Sequence, residues 1–212
     1  MAKFRISYNA PVVLTFALLA VAVFVLTSEH LFPTLRMWFV AWPEFRDTRS
    51  YAGLFTHILG HGSWLHLMGN FMLILLIGPI LEERFGSARL MMMIGITALV
   101  TGILNVTFSS DALLGASGIV FMMILLASTA NIRQGEIPLT FIAIAVIYLG
   151  GEIVRAFDND NVSQTAHLIG GATGAVFGFL SARGGPTTGK LGKPKPTDVL
   201  SPKLAAKKLP PL

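Results

Sequence analysis

Six stretches of nearly unbroken apolar sequence, each close to the length that crosses a bilayer, constrain this chain more than any other feature. Spanning a hydrocarbon core of about 30 Å takes about 20 apolar residues in a helix, within a range of about 17–25. The stretches run from about Ala10 to Ser28, Ser63 to Leu81, Ala88 to Phe108, Ser117 to Ile132, Ile137 to Ala156 and Thr165 to Arg183. Only 13% of the 212 residues are charged and 53% are hydrophobic, whereas a soluble domain averages about 25% charged. Backbone polar groups in lipid must be satisfied internally, so runs of this length demand helices. The expected fold class is an all-α membrane protein, a bundle of six transmembrane helices spanning residues 10–183. The first stretch does not read as a cleavable signal peptide, because five more follow and no A-x-A-like site closes it.

Orientation follows from the sixteen Lys and Arg residues. With the N-terminus inside, Lys3, Arg5, Arg84, Arg89, Arg133, Arg183 and the six tail lysines fall on the cytoplasmic side. Only Arg36, Arg46, Arg49 and Arg155 fall outside. The asymmetry predicts an N-in, C-in topology, and its direction survives removal of the tail. Residues 1–9 are then a short cytoplasmic N-terminus. Residues 184–212, rich in Gly, Pro, Thr and Lys, are expected to form a disordered basic tail. The net charge of +5 comes largely from that tail. Lysines beside a membrane segment point to topology and anionic headgroups rather than to nucleic acid. Residues 29–56 carry Trp38 and Trp42 and read as an interfacial loop. Cysteine is absent, which removes thiolate nucleophiles and Cys-ligated metals. The Met91–Met93 run reads as lipid-facing or packing residues, not as a metal site.

Polar groups inside spans are costly and mark function by default. Under this topology His61, His66 and Asn70 lie at the outer end of the second span, Ser117 opens the fourth and His167 lies in the first turn of the sixth. Three separate parts of the chain thus bring reactive groups to one leaflet. The fourth stretch holds about 16 residues, about 24 Å of helix at 1.5 Å per residue, and so falls short of the core. The preceding segment, 109–116, should therefore dip below the outer surface, lined by protein or a wet cavity.

Ser117 sits in Gly115-Ala116-Ser117-Gly118, at a loop-to-helix junction with small neighbours. Serine needs a base to become a nucleophile, and a helix start offers free N–H groups to an oxyanion. Alone, the tetrapeptide reads more readily as a packing feature. His167 opens a helix whose Gly170, Gly174 and Gly178 form a flat face for close approach. The sharper reading has that face seat the sixth span on the fourth and bring His167 to Ser117. His66 and Asn70, four apart on one helix face, are candidate oxyanion donors, and Gly115 is grouped with them. His61, Gly118, Phe121, Gly170 and Gly174 are candidate supporting residues. His57 reads as an interfacial histidine. Glu82, Glu83, Arg84 and Arg89 read as cytoplasmic orientation and salt-bridge residues. Asp158 and Asp160 belong to the loop before the sixth span and no carboxylate adjoins His167, so Ser117 and His167 read as a dyad.

These motifs carry a specific resemblance. His61-Gly-Ser-Trp-Leu-His66-Leu-Met-Gly-Asn70 resembles the second-helix motif of the rhomboid family of intramembrane serine proteases. Gly115-Ala-Ser117-Gly resembles its nucleophile motif and Ala166-His167-Leu-Ile-Gly170 its last-helix motif, while Gly78, Glu82 and Gly86 match the usual end of the second helix. The resemblance implies a six-helix rhomboid-like core in which Ser117 attacks a peptide carbonyl and His167 serves as base, then acid. It implies an oxyanion held by Asn70, His66 and the Ser117 amide, single-span membrane proteins as substrates, and no cofactor. Two departures stand out. The Trp-Arg pair frequent in the family's first loop has only Phe45-Arg46 near it, and Phe121 stands where many relatives have tyrosine. A bacterial cytoplasmic membrane is the expected location. Two other functions fit the same composition: a catalytically inactive client-binding relative, and a transporter using His57, His61, His66 and His167 as a proton relay or zinc site.

Overall fold

A computed structural model describes residues 7–44, 47–129 and 164–183, with a few isolated positions between 137 and 147. Its helices are α1 (Pro11–Leu26), α2 (Thr48–Thr56), α3 (Trp64–Phe85), α4 (Ser87–Phe108), α5 (Ser117–Ser128) and α6 (Gln164–Arg183). Two 3-10 helices, Pro33–Phe39 and His57–Leu59, belong to the first loop. No strand is present among the described residues. Each of the other apolar stretches carries a helix within them, while most of the fifth stretch, the N-terminal residues 1–6 and the tail lie outside them. Among the described residues two helices, α3 and α4, are long and apolar enough to cross a membrane, and α1, α5 and the stretch Ala166–Ser181 of α6 are shorter apolar helices.

Helix ends explain where the expected boundaries shift. Ser63 caps α3 by accepting the His66 N–H at 3.1 Å. That helix runs on through Glu82, Glu83 and Arg84 to Gly86, whose φ of +83° ends it. Glu82 is not an orientation or salt-bridge residue at the surface. It is 4% exposed, and its carboxylate accepts the Val12 and Val13 amides at 3.0 Å each and the Ser87 hydroxyl at 2.7 Å. Pro11 opens α1 and Ala10 offers it no side-chain cap. The charge therefore caps α1 from another helix, where a carboxylate also suits the positive end of the helix dipole.

One hydrophobic core joins α1, α3, α4 and α5 through Val13, Leu67, Ile74, Leu90, Met122 and Leu125. The first loop folds back into this bundle. Asp47 caps α2 through the Arg49 and Ser50 amides, and the Arg49 guanidinium binding it holds its carboxyl below the usual carboxylate range. The backbone of α2 lies directly on α4, where a Cβ on Gly102 would stand 2.7 Å from the Leu54 carbonyl. Trp38 and Trp42 remain exposed at 40% and 38%.

Candidate active site

Ser117 opens α5 at the end of segment 109–116, whose first half is exposed at Ser110, Asp111 and Ala112 and whose second half turns into the protein. Leu113 and Ala116 are 3% and 0% exposed. The backbone polar groups find partners across the fold: Leu113 and Ala41 exchange two N–H···O bonds of 2.9 Å, and the Gly115 N–H donates to the His57 carbonyl at 2.9 Å. No side chain caps α5, so its first amides have no intrahelical partner. Ser117 itself is half-buried.

Gly115 needs to be glycine on two counts. Its φ is +122°, and a Cβ there would stand 2.7 Å from His66 Cε1 and Nε2 and 3.8 Å from Asn70 Nδ2. The loop entering α5 is thus laid against the His66–Asn70 face of α3. Asn70 is 8% exposed and its amide lies 3.1 Å from His61 Nε2. His61 Nδ1 faces the Leu59 carbonyl at 3.2 Å. These partners assign the proton to Nδ1 and leave Nε2 to accept from Asn70, which fixes the orientation of the amide. His61 also meets His66 edge-on, with ring centroids 5.0 Å apart.

The other wall comes from α6, which packs on α5 more extensively than any other described helix pair. A Cβ on Gly170 would sit 2.1 Å from the Gly118 carbonyl oxygen, and one on Gly174 would sit 2.2 Å from that of Met122. Bare backbone on both helices makes this approach possible. One turn before Gly170, the His167 imidazole stacks flat on Phe121, with centroids 4.5 Å apart and planes at 11°. Phe121 lies one turn after Ser117. The chain therefore gathers His61, His66, Asn70, Gly115, Ser117, Phe121 and His167 at one end of the bundle, with Gly118, Gly170 and Gly174 in the seam below.

His57 differs from its interfacial expectation. It is 1% exposed. Nδ1–H donates to the Gly53 carbonyl at 2.9 Å, and Nε2 faces the Thr101 hydroxyl at 3.4 Å. Burial pushes its pKa down to about 4. With both ring nitrogens of His57 and both of His61 occupied by protein, neither ring is disposed to serve a metal or a proton relay.

A stripe of polar residues on α4 also escaped the sequence reading. Thr97, Thr101 and Asn105, four residues apart, are 0%, 2% and 1% exposed. Thr97 meets Thr173 of α6 at 3.3 Å, Thr101 meets His57, and Asn105 donates to the Asp111 carbonyl at 2.9 Å. The signal was present in the four-residue recurrence of hydrogen-bonding groups inside an apolar span.

A family model described as the Rhomboid domain matches residues 48–184. The Rhomboid protease GlpG of Haemophilus influenzae is 23% identical over 175 residues, covering 80% of this chain and 91% of its own. The Rhomboid protease GlpG of Yersinia enterocolitica is 26% identical over 191 residues, covering 86% of this chain and 66% of its own. Rhomboid-related protein 1 of Caenorhabditis elegans is 33% identical over 132 residues, covering 57% of this chain and 37% of its own. The chain thus spans most of the first relative, about two thirds of the second and little more than a third of the third. The family match takes in α2 to α6 and every residue gathered around Ser117, and by it this integral membrane protein belongs to the rhomboid family.

Proposed function

We propose that the chain is an intramembrane serine endopeptidase that cuts membrane-protein substrates in or near their transmembrane segments, through a dyad of Ser117 and His167. The observation that carries the reading is the stacking of the His167 imidazole on Phe121, one turn into the helix that Ser117 opens. In the proposed reaction His167 takes the Ser117 proton as Oγ attacks the scissile carbonyl, then delivers it to the leaving amine. Water, deprotonated by the same imidazole, hydrolyses the acyl-enzyme and restores the serine. Asn70 Nδ2, His66 and the Ser117 amide, beside Gly115, face the oxyanion of each tetrahedral intermediate. The protein holds six spans, N-in and C-in, with residues 1–9 and the tail 184–212 in the cytoplasm. Its setting is a bacterial cytoplasmic membrane. No cofactor takes part in these steps.

A fluorophosphonate probe tests this without a known substrate. Detergent-purified protein is expected to carry the adduct on Ser117 by mass spectrometry, and His167→Ala to lose it. Asn70→Ala is expected to slow labelling by about 10²–10³, the usual effect of removing one oxyanion donor. A folded protein left unlabelled by several such probes would overturn the dyad and favour an inactive client-binding protein.

A further inference from the structure

Away from Ser117, an apolar groove of about 460 Å³ opens on the flank of the molecule between α1 and α4. Thr15 and Leu19 form one wall, Met91 and Ile94 the other, and Phe55 and Leu59 close one end as a roof. The 3-10 turn His57–Leu59 contacts both α1 and α4 beside the groove. At the far end the groove reaches Pro11 and Ser87. From Pro11 to Leu19 is about 12 Å of helix at 1.5 Å per residue, roughly one leaflet of a 30 Å core. Polar atoms at the margin are already paired within the protein: Tyr8 with Thr15 at 2.9 Å, and Ser87 with Glu82. Beside the groove, Leu18, Met91 and Met92 are exposed apolar residues at 63%, 61% and 53%.

We infer that this groove holds one phospholipid acyl chain, drawn from the leaflet nearer the start of α1, as a resident component of the fold. An apolar groove of this size at membrane depth has hydrocarbon as its solvent and presents no polar group that needs a partner. A helix from a substrate or a second copy is a poor occupant. Crossing the core takes about 30 Å, and the roof closes the groove after about 12 Å. The same roof carries His57, whose carbonyl accepts the Gly115 N–H at 2.9 Å. The chain end thus packs beneath the element that holds the loop before Ser117, and lipid occupancy supports that loop. The inference rests on the membrane location and not on the proposed proteolysis.

The test uses a phospholipid with a diazirine at the end of one acyl chain, mixed into dioleoylphosphatidylcholine vesicles holding the full chain. After photolysis, mass spectrometry is expected to find adducts on Leu59 and its neighbours in the roof. Native mass spectrometry of detergent-washed protein is expected to retain one phospholipid. Leu19→Trp and Met91→Trp, at positions exposed enough to accept a larger ring, should fill the groove. Each is expected to reduce roof adducts at least tenfold and to shed the retained lipid, with labelling of Leu18 and Met92 and the thermal midpoint unchanged. Roof adducts that persist in both variants, no retained lipid in the wild type, or protein cross-links at these positions would each overturn the inference.

Discussion

His57 performs three tasks with one residue. Its ring links Gly53 to Thr101 on α4, its carbonyl holds Gly115, and its burial requires the neutral form. In the unfolded chain the imidazole takes a proton near its ordinary value of 6.5, and in the folded protein only near 4. Between those values the unfolded state binds more protons, so the stability tied to His57 is complete above about pH 6.5 and is lost as pH falls toward 4. The share of stability carried by His57 is expected to fall by roughly 3 kcal/mol across that window. His57→Gln, which cannot take up the proton, should make the dependence shallower by that share when thermal midpoints are read in detergent across pH. Local sequence gave no hint of this burial, because the group that demands it, Thr101, lies 44 residues away. Ser117, Asn70 and His167, by contrast, were legible as polar residues in apolar surroundings.

Between elements, the contact of α5 with α6 decides whether His167 can reach its place beside Phe121. Adding one methyl group at Gly170 puts a carbon 2.1 Å from the Gly118 carbonyl oxygen, a clash that only separation of the helices relieves. Gly170→Ala is expected to lower the thermal midpoint by an amount in line with the ordinary overpacking cost of about 1–3 kcal/mol. It should also lower fluorophosphonate labelling at least tenfold. Gly95→Ala on α4 is the control. A Cβ there meets no atom of the described residues within 4 Å, and alanine favours helix over glycine by about 1 kcal/mol, so stability should rise or hold and labelling should not change. The four-residue glycine spacing made the face of α6 legible in advance. Its partner helix and Gly118 were legible as well, but Met122 was not, since the carbonyl oxygen that Gly174 meets belongs to the backbone and leaves no mark on residue identity. The role of Glu82 was misjudged for a related reason. Charges at Glu82–Arg84 read as the edge of the membrane, while Glu82 is buried as the cap of α1.

For the whole molecule, the proposed topology is open to direct measurement because the chain has no cysteine. Single cysteines placed at Lys3 and at Lys203 are expected to resist a membrane-impermeant maleimide in intact spheroplasts, and one at Arg36 to react. The opposite pattern would overturn the N-in, C-in assignment. Lipid imposes continuous apolar runs on sequence, which is why the described helices were legible, whereas the fold of the first loop was not. Its seating depends on backbone meeting backbone, at Leu54 against Gly102 and at Ala41 against Leu113. The Ala41–Leu113 pair has a consequence of its own. An alanine scan would pass over this clasp: position 41 is already alanine, and truncating Leu113 leaves both amides and both carbonyls in place. A descendant sequence can change either residue, within the space available, and still inherit the clasp. It is passed on without being spelled out, and only proline at position 41 or 113, by deleting an amide, would make it audible.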